Sequence, residues 1–111
     1  MTIFKHKFIV FAIDHFNSLG IIRSLGEKGI NPIVVLYGEK SILVQKSKYI
    51  SKYYRSNNIE ECYKYIKDNY SKELYKPFII ATTDETASCL DLHYDELVDK
   101  FHFFNAGEQV A

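Results

Sequence analysis

Two short polar strings hold the side chains best placed for chemistry: Asp14-His15-Phe16-Asn17-Ser18 and Thr82-Thr83-Asp84-Glu85. Each follows an apolar run, Phe8 to Ile13 and Phe78 to Ala81, and each leads into a helical pattern. Asp14, Asn17, Ser18, Thr83, Asp84 and Glu85 are therefore the candidate substrate-binding residues. Two helix N-termini favour an anionic group, and the carboxylates of Asp84 and Glu85 can hold an ammonium, so together they suit a small zwitterion or carboxylate. The same residue types also cap helices, and the strings alone do not choose between a site and a set of caps.

Several other chemistries are excluded. The first string contains no glycine, whereas dinucleotide folds need glycines there so that the backbone can approach a pyrophosphate. No GxxxxGK[ST] loop occurs anywhere, so the chain by itself has no nucleotide-cofactor motif. His6, His15, His93 and His102 show no ligand spacing, and Cys62 and Cys89 have no CxxC partner, which argues against a metal. Both cysteines fall in helical patterns and read as buried small hydrophobes. Ser18 lies near His15, but no nucleophile-elbow motif surrounds it, so no catalytic residue is assigned.

The elements that must position these strings follow from hydropathy. Phe8 to Ile13 is too short for an independent helix and rich in β-branched and aromatic residues, as in a strand buried on both faces. Asn17 can cap a helix over Ser18 to Lys28, ended by Gly29 as a left-handed cap. Gly20 and Gly26 lie inside that helix at a cost of about 1 kcal/mol each relative to alanine, which implies close packing of helix on sheet. Pro32 then opens a strand from Ile33 to Tyr37. Strand, helix and strand make a right-handed βαβ unit with a parallel pair. Residues 38–51 read as a loop with a helical turn around Ile42 to Gln45. Lys52 to Tyr54 read as an edge strand, with Lys48, Lys52 and Arg55 as either a solvated edge or a cationic rim. A helix from Asn58 to Tyr70 carries Ile59, Cys62, Tyr63, Ile66 and Tyr70 as one apolar stripe. After the strand Phe78 to Ala81, Thr83 or Asp84 caps a helix that turns Ala87, Leu90, Leu97 and Val98 inward. Asp95 caps a short second helix through Lys100, and a last strand runs from Phe101 to Phe104.

The fold class is thus α/β, with a mostly parallel sheet of about five strands in the order 3-2-1-4-5. In that order both polar strings open on one crevice at the topological switch point, with Asn17 and Glu85 expected on the same side of the sheet.

Composition limits the partners. The chain has 111 residues, 47% of them hydrophobic, which suits one globular domain. Lys plus Arg and Asp plus Glu are both 14, giving no basic excess for nucleic acid. No apolar run approaches the roughly 20 residues of a membrane helix, and the N-terminus lacks the pattern of a secretory signal. A cytoplasmic protein is expected, with neither nucleic acid nor membrane as partner.

The string Asn17-Ser-Leu-Gly-Ile-Ile-Arg-Ser-Leu-Gly-Glu-Lys-Gly-Ile, then Ser47-Lys-Tyr, then Ala81-Thr-Thr-Asp-Glu resembles the N-terminal domain of ATP-grasp carboxylate–amine ligases, the carbamoyl-phosphate-synthase-like and D-aspartate-ligase-like proteins. The likeness covers nearly the whole chain in order; Lys48 departs from it, since arginine is expected there. It implies a three-layer, Rossmann-like pre-ATP-grasp domain over residues 1–105 and the start of a linker over 106–111. It further implies that this domain supplies the substrate side of an active site in which a carboxylate is activated as an acyl phosphate and attacked by an amine. Asn17, Ser18, Thr83, Asp84 and Glu85 would line that side, with Asp84 and Glu85 accepting from the amine. ATP and magnesium would be held by two further domains of the same polypeptide, leaving the present residues inactive alone and without a cofactor. Relatives often associate, and exposed edge tyrosines suit a homodimer. The alternative is a stand-alone flavodoxin-like or receiver-like binding or regulatory domain.

Overall fold

Residues 6–12, 16–38 and 48–105 are described by the computed structural model. Strand β1 (Phe8–Ala12) is apolar on both sides because both of its faces are covered. Ile9 and Phe11 enter one core and Val10 and Ala12 the other, all four fully buried. The elements that follow are α1 (Phe16–Glu27), β2 (Ile33–Tyr37), β3 (Lys52–Ser56), α2 (Ile59–Tyr70), β4 (Phe78–Ala81), α3 (Asp84–Leu92), α4 (Tyr94–Leu97) and β5 (His102–Asn105). The five strands form one sheet in the order β3-β2-β1-β4-β5, and every neighbouring pair is parallel. This is the expected α/β architecture. Flavodoxin-like sheets run 2-1-3-4-5 and set β1 beside β3; here β1 lies between β2 and β4, so the flavodoxin-like or receiver-like shape does not apply.

Helix α1 packs on one face of the sheet, where Ile22 is buried with Val10, Ala12, Val34 and Leu36. The other face carries the larger core, built by α2, α3 and α4 through Cys62, Tyr63, Ile66, Ala87, Leu90 and Leu97. The apolar stripe of α2 is as expected, with Cys62, Tyr63, Ile66 and Tyr70 buried and Ile59 partly so. Its start is set by Asn58, whose Oδ1 accepts from the backbone N–H of Glu60 at 2.9 Å and of Glu61 at 3.3 Å.

Gly29 takes φ +87° and closes α1 as a left-handed cap. Its N–H donates to Gly26 at 3.0 Å, and the Ile30 N–H donates to Leu25 at 2.9 Å, the paired bonds of a Schellman motif. The other end of α1 differs from expectation. The helix begins at Phe16, so Asn17 lies in its first turn and is not the cap. The first helical N–H groups have no intrahelical acceptor and take one from nearby polar side chains or water, so polar residues near a start mark it only to within a residue or two. Asp95 errs in the same way: α4 begins at Tyr94, with His93 in the cap position. The last strand also starts one residue late, at His102.

The two helical glycines part company. A Cβ on Gly26 would run into the ring and Cβ of Tyr49, so the close packing there is against a loop side chain and not the sheet. Gly20 faces open space. Gly20→Ala is expected to raise stability by up to about 1 kcal/mol, and Gly26→Ala to lower it by about 1–3 kcal/mol through overpacking. Urea midpoints of the two variants moving in opposite directions are the check. The turn expected at Ile42 to Gln45 and the linker expected over 106–111 lie outside the described residues.

Candidate functional site

The carboxyl ends of β1 and β4 lie side by side. Phe11 pairs with Ala81 in register, and the Thr82 N–H donates to the Phe11 carbonyl at 3.2 Å, carrying the ladder into the second polar string. Asp14 lies outside the described residues, and Asn17 and Ser18 are placed by the backbone of the first turn of α1. Thr83 is the N-cap of α3. Its Oγ1 accepts from the Thr86 N–H at 3.2 Å and its own N–H donates to Thr86 Oγ1 at 3.3 Å, a capping box. Thr83 therefore serves as the cap, which commits its hydroxyl. Asp84 and Glu85 follow in the first turn with exposed side chains.

One geometric expectation is overturned here. Asn17 and Glu85 belong to helices on opposite faces of the sheet, since α1 packs with Val10 and Ala12 while α3 packs with Ile9 and Phe11. From adjacent strands the chain crosses to β2 in one direction and to β5 in the other. Right-handed crossovers running in opposite directions must lie on opposite faces. The two helices thus lie on opposite faces beyond neighbouring strands, and that divergence is what opens a crevice at a switch point.

A concavity of about 370 Å³ lies at the amino ends of β1, β2 and β3, opposite the polar strings, lined by His6, Lys7, Asn31, Ser51 and Lys52 among others. None of the candidate residues lines it. The basic residues near β3 do not act as one rim either. Lys52 pairs with Ile33 at the amino end and Arg55 with Leu36 toward the carboxyl end. The Arg55 guanidinium is held by the Gly38 carbonyl at 2.7 Å and Asn57 Oδ1 at 3.0 Å.

A second constellation, not anticipated from the sequence, joins α2 to α3 and α4. Glu60 Oε1 meets His93 Nε2 at 2.9 Å, and the Cys89 thiol reaches Glu60 Oε2 at 3.9 Å. His93 Nδ1 faces Glu96 Oε2 at 3.5 Å. The Tyr63 hydroxyl donates to Glu96 Oε1 at 2.6 Å, as does Lys67 Nζ at 2.9 Å. The rings of Tyr63 and His93 stack at 3.8 Å, 6° from parallel. Glu60 stands 29 and 33 residues from Cys89 and His93, which hides the group in a linear reading. The one visible signal was Cys89-x-x-x-His93, a spacing that places both on one side of a helix end.

The hydrogen bond from Tyr63, followed by that from Lys67, holds the Glu96 carboxyl down from 4.5 to about 2. A carboxyl lowered on folding stabilises the native state above its unfolded value, and that contribution is lost as pH falls through the folded one. The Tm of the wild type is therefore expected to drop more steeply between about pH 4.5 and pH 2 than that of Glu96→Gln. Parallel Tm profiles would show the network to be absent in solution.

Among the described residues no helix is long and apolar enough to cross a membrane. No protein-family model, no curated protein and no solved structure matches the chain.

Proposed function

We propose that these residues form the N-terminal, substrate-side domain of an ATP-dependent carboxylate–amine ligase of the ATP-grasp class, inactive by itself and working in the cytoplasm. The observation that carries this reading is the adjacency of β1 and β4, whose polar strings leave the sheet toward opposite faces. Open α/β sheets hold their ligands in the crevice formed that way. The exposed carboxylates of Asp84 and Glu85 supply acceptors for an amine, and Asp14, Asn17 and Ser18 are the remaining substrate-binding candidates, named from the sequence. Thr83 acts by fixing the start of α3. ATP and Mg²⁺ belong to domains that continue the polypeptide beyond Ala111, and the partner of this face is a small carboxylate or amine substrate.

The cheapest test is the gene itself: an ATP-grasp reading frame continuing past Ala111 is expected, and a stop codon there overturns the ligase reading. In the polypeptide so encoded, Glu85→Gln is expected to raise the KM for the amine by about tenfold, the size of one charge-assisted hydrogen bond, with kcat little changed. An unaltered KM removes Glu85 from the site. Titration of residues 1–111 with Mg-ATP is expected to show no tight binding, and sub-micromolar affinity would refute the division of labour.

A further inference from the structure

The group between α2 and α3 has the composition of a metal site. A glutamate oxygen, a cysteine sulfur and a histidine nitrogen lie within 4.8 Å of one another, on Glu60, Cys89 and His93. We propose that these three side chains bind a zinc-class divalent transition-metal ion, with solvent as the fourth ligand. This proposal is independent of the ligase reading and concerns the opposite end of α3 from Asp84 and Glu85.

Three arguments carry it. The donor set mixes sulfur, imidazole and carboxylate, the set zinc takes, and three protein ligands with one open position form the pattern of accessible zinc sites. The separations suit a tetrahedron. With metal–ligand bonds of about 2.0–2.3 Å, its edges are roughly 3.3–3.6 Å; His93 Nε2 lies 2.9 Å from Glu60 Oε1, Cys89 Sγ lies 3.9 Å from the other oxygen, Oε2, and one ligand atom from each of the three residues falls within 4.8 Å of the other two. Closing on one ion draws these atoms together, and the exposed Glu60 carboxylate is the ligand best able to move.

The third argument is the support around His93. Ligating histidines usually present their other ring nitrogen to a carboxylate, which fixes tautomer and orientation. His93 Nδ1 faces Glu96 Oε2 at 3.5 Å, and Glu96 is itself held by Tyr63 and Lys67. The stacked Tyr63 ring sets the imidazole plane. The proton of the neutral ring then sits on Nδ1, the Nε2 lone pair turns to the ion, and the Cys89 thiol releases its proton to solvent as the sulfur–metal bond forms. A bare glutamate–histidine hydrogen bond would need neither the cysteine nor the second carboxylate.

The test is a titration of the full chain with CoCl₂ and ZnCl₂. One Co²⁺ per chain is expected, with a thiolate-to-cobalt charge-transfer band that Zn²⁺ abolishes by displacement. The band is expected to persist in Cys62→Ser, to vanish in Cys89→Ser, and to need about 10–100-fold more cobalt in Glu96→Gln. Because Cys89→Ser alters a buried residue, its fold is checked by circular dichroism, and the wild type provides a second readout. Zn²⁺ at a hundredfold excess over its Kd is expected to raise the Tm by about 10 °C. A band that survives in folded Cys89→Ser, a band lost in folded Cys62→Ser, or the absence of both band and Tm shift in the wild type overturns the site.

Discussion

Phe11→Ala is expected to remove about 3–5 kcal/mol of stability, a large part of the roughly 5–15 kcal/mol that holds a domain of this kind together. Phe11 is fully buried in β1, the central strand of the sheet. Its register neighbours are Val35 on β2 and Ala81 on β4, which share its core. Neither is large enough to fill the space of a lost ring, and backbone hydrogen bonding on both sides keeps the strand from closing over it. The cost is thus apolar transfer plus a cavity that cannot collapse. Equilibrium urea unfolding of wild type and variant measures it, with Phe11→Leu as a milder comparison. A loss below about 1 kcal/mol would mean that the ring is not packed between the sheet and its helices.

The second large effect is chemical silence of the two thiols. Cys62 is fully buried, and its Sγ–H donates to the Leu36 carbonyl at 3.3 Å. Burial, more than any other influence, pushes its thiol up to about 11. Burial and then the Glu60 carboxylate push Cys89 up to about 12. An ordinary thiol with a pKa near 8.5 is roughly a quarter thiolate at pH 8. The same arithmetic leaves about one in a thousand at 11, so ionisation alone slows alkylation at least about a hundredfold. Occlusion of the sulfur slows it further, until labelling follows opening of the fold. In metal-free buffer at pH 8, both cysteines of the native protein are expected to resist a thiol reagent that modifies them at once in urea. Rapid modification of Cys62 in the native state would show that α2 does not close over β2.

Much of the architecture was legible because its signals are local. The apolar runs at Phe8, Ile33 and Phe78 are short and bounded by Gly, Pro or polar residues, and the strands begin where those runs begin. Gly29 announces the end of α1 because few other residues tolerate φ +87°. Asn57 or Asn58 and Thr83 or Asp84 mark helix starts to within a residue, and the structure selects Asn58 and Thr83, whose side chains satisfy first-turn N–H groups. The same logic failed at Asn17 and Asp95, where a polar side chain inside a first turn resembles the cap beside it.

What the residues by themselves determined is the succession of strands and helices and the burial of their apolar runs, and the fold class so implied supplied the expected strand order. Folding in three dimensions decided which distant groups meet. Tyr49 lies against Gly26, and Glu60 joins Cys89 and His93 across two helices. Hydropathy and capping describe a residue's relation to solvent and to its own few neighbours along the chain. They carry no term for a side chain some thirty positions away, and such meetings are settled only when helices pack on a sheet whose geometry leaves them one place to lie.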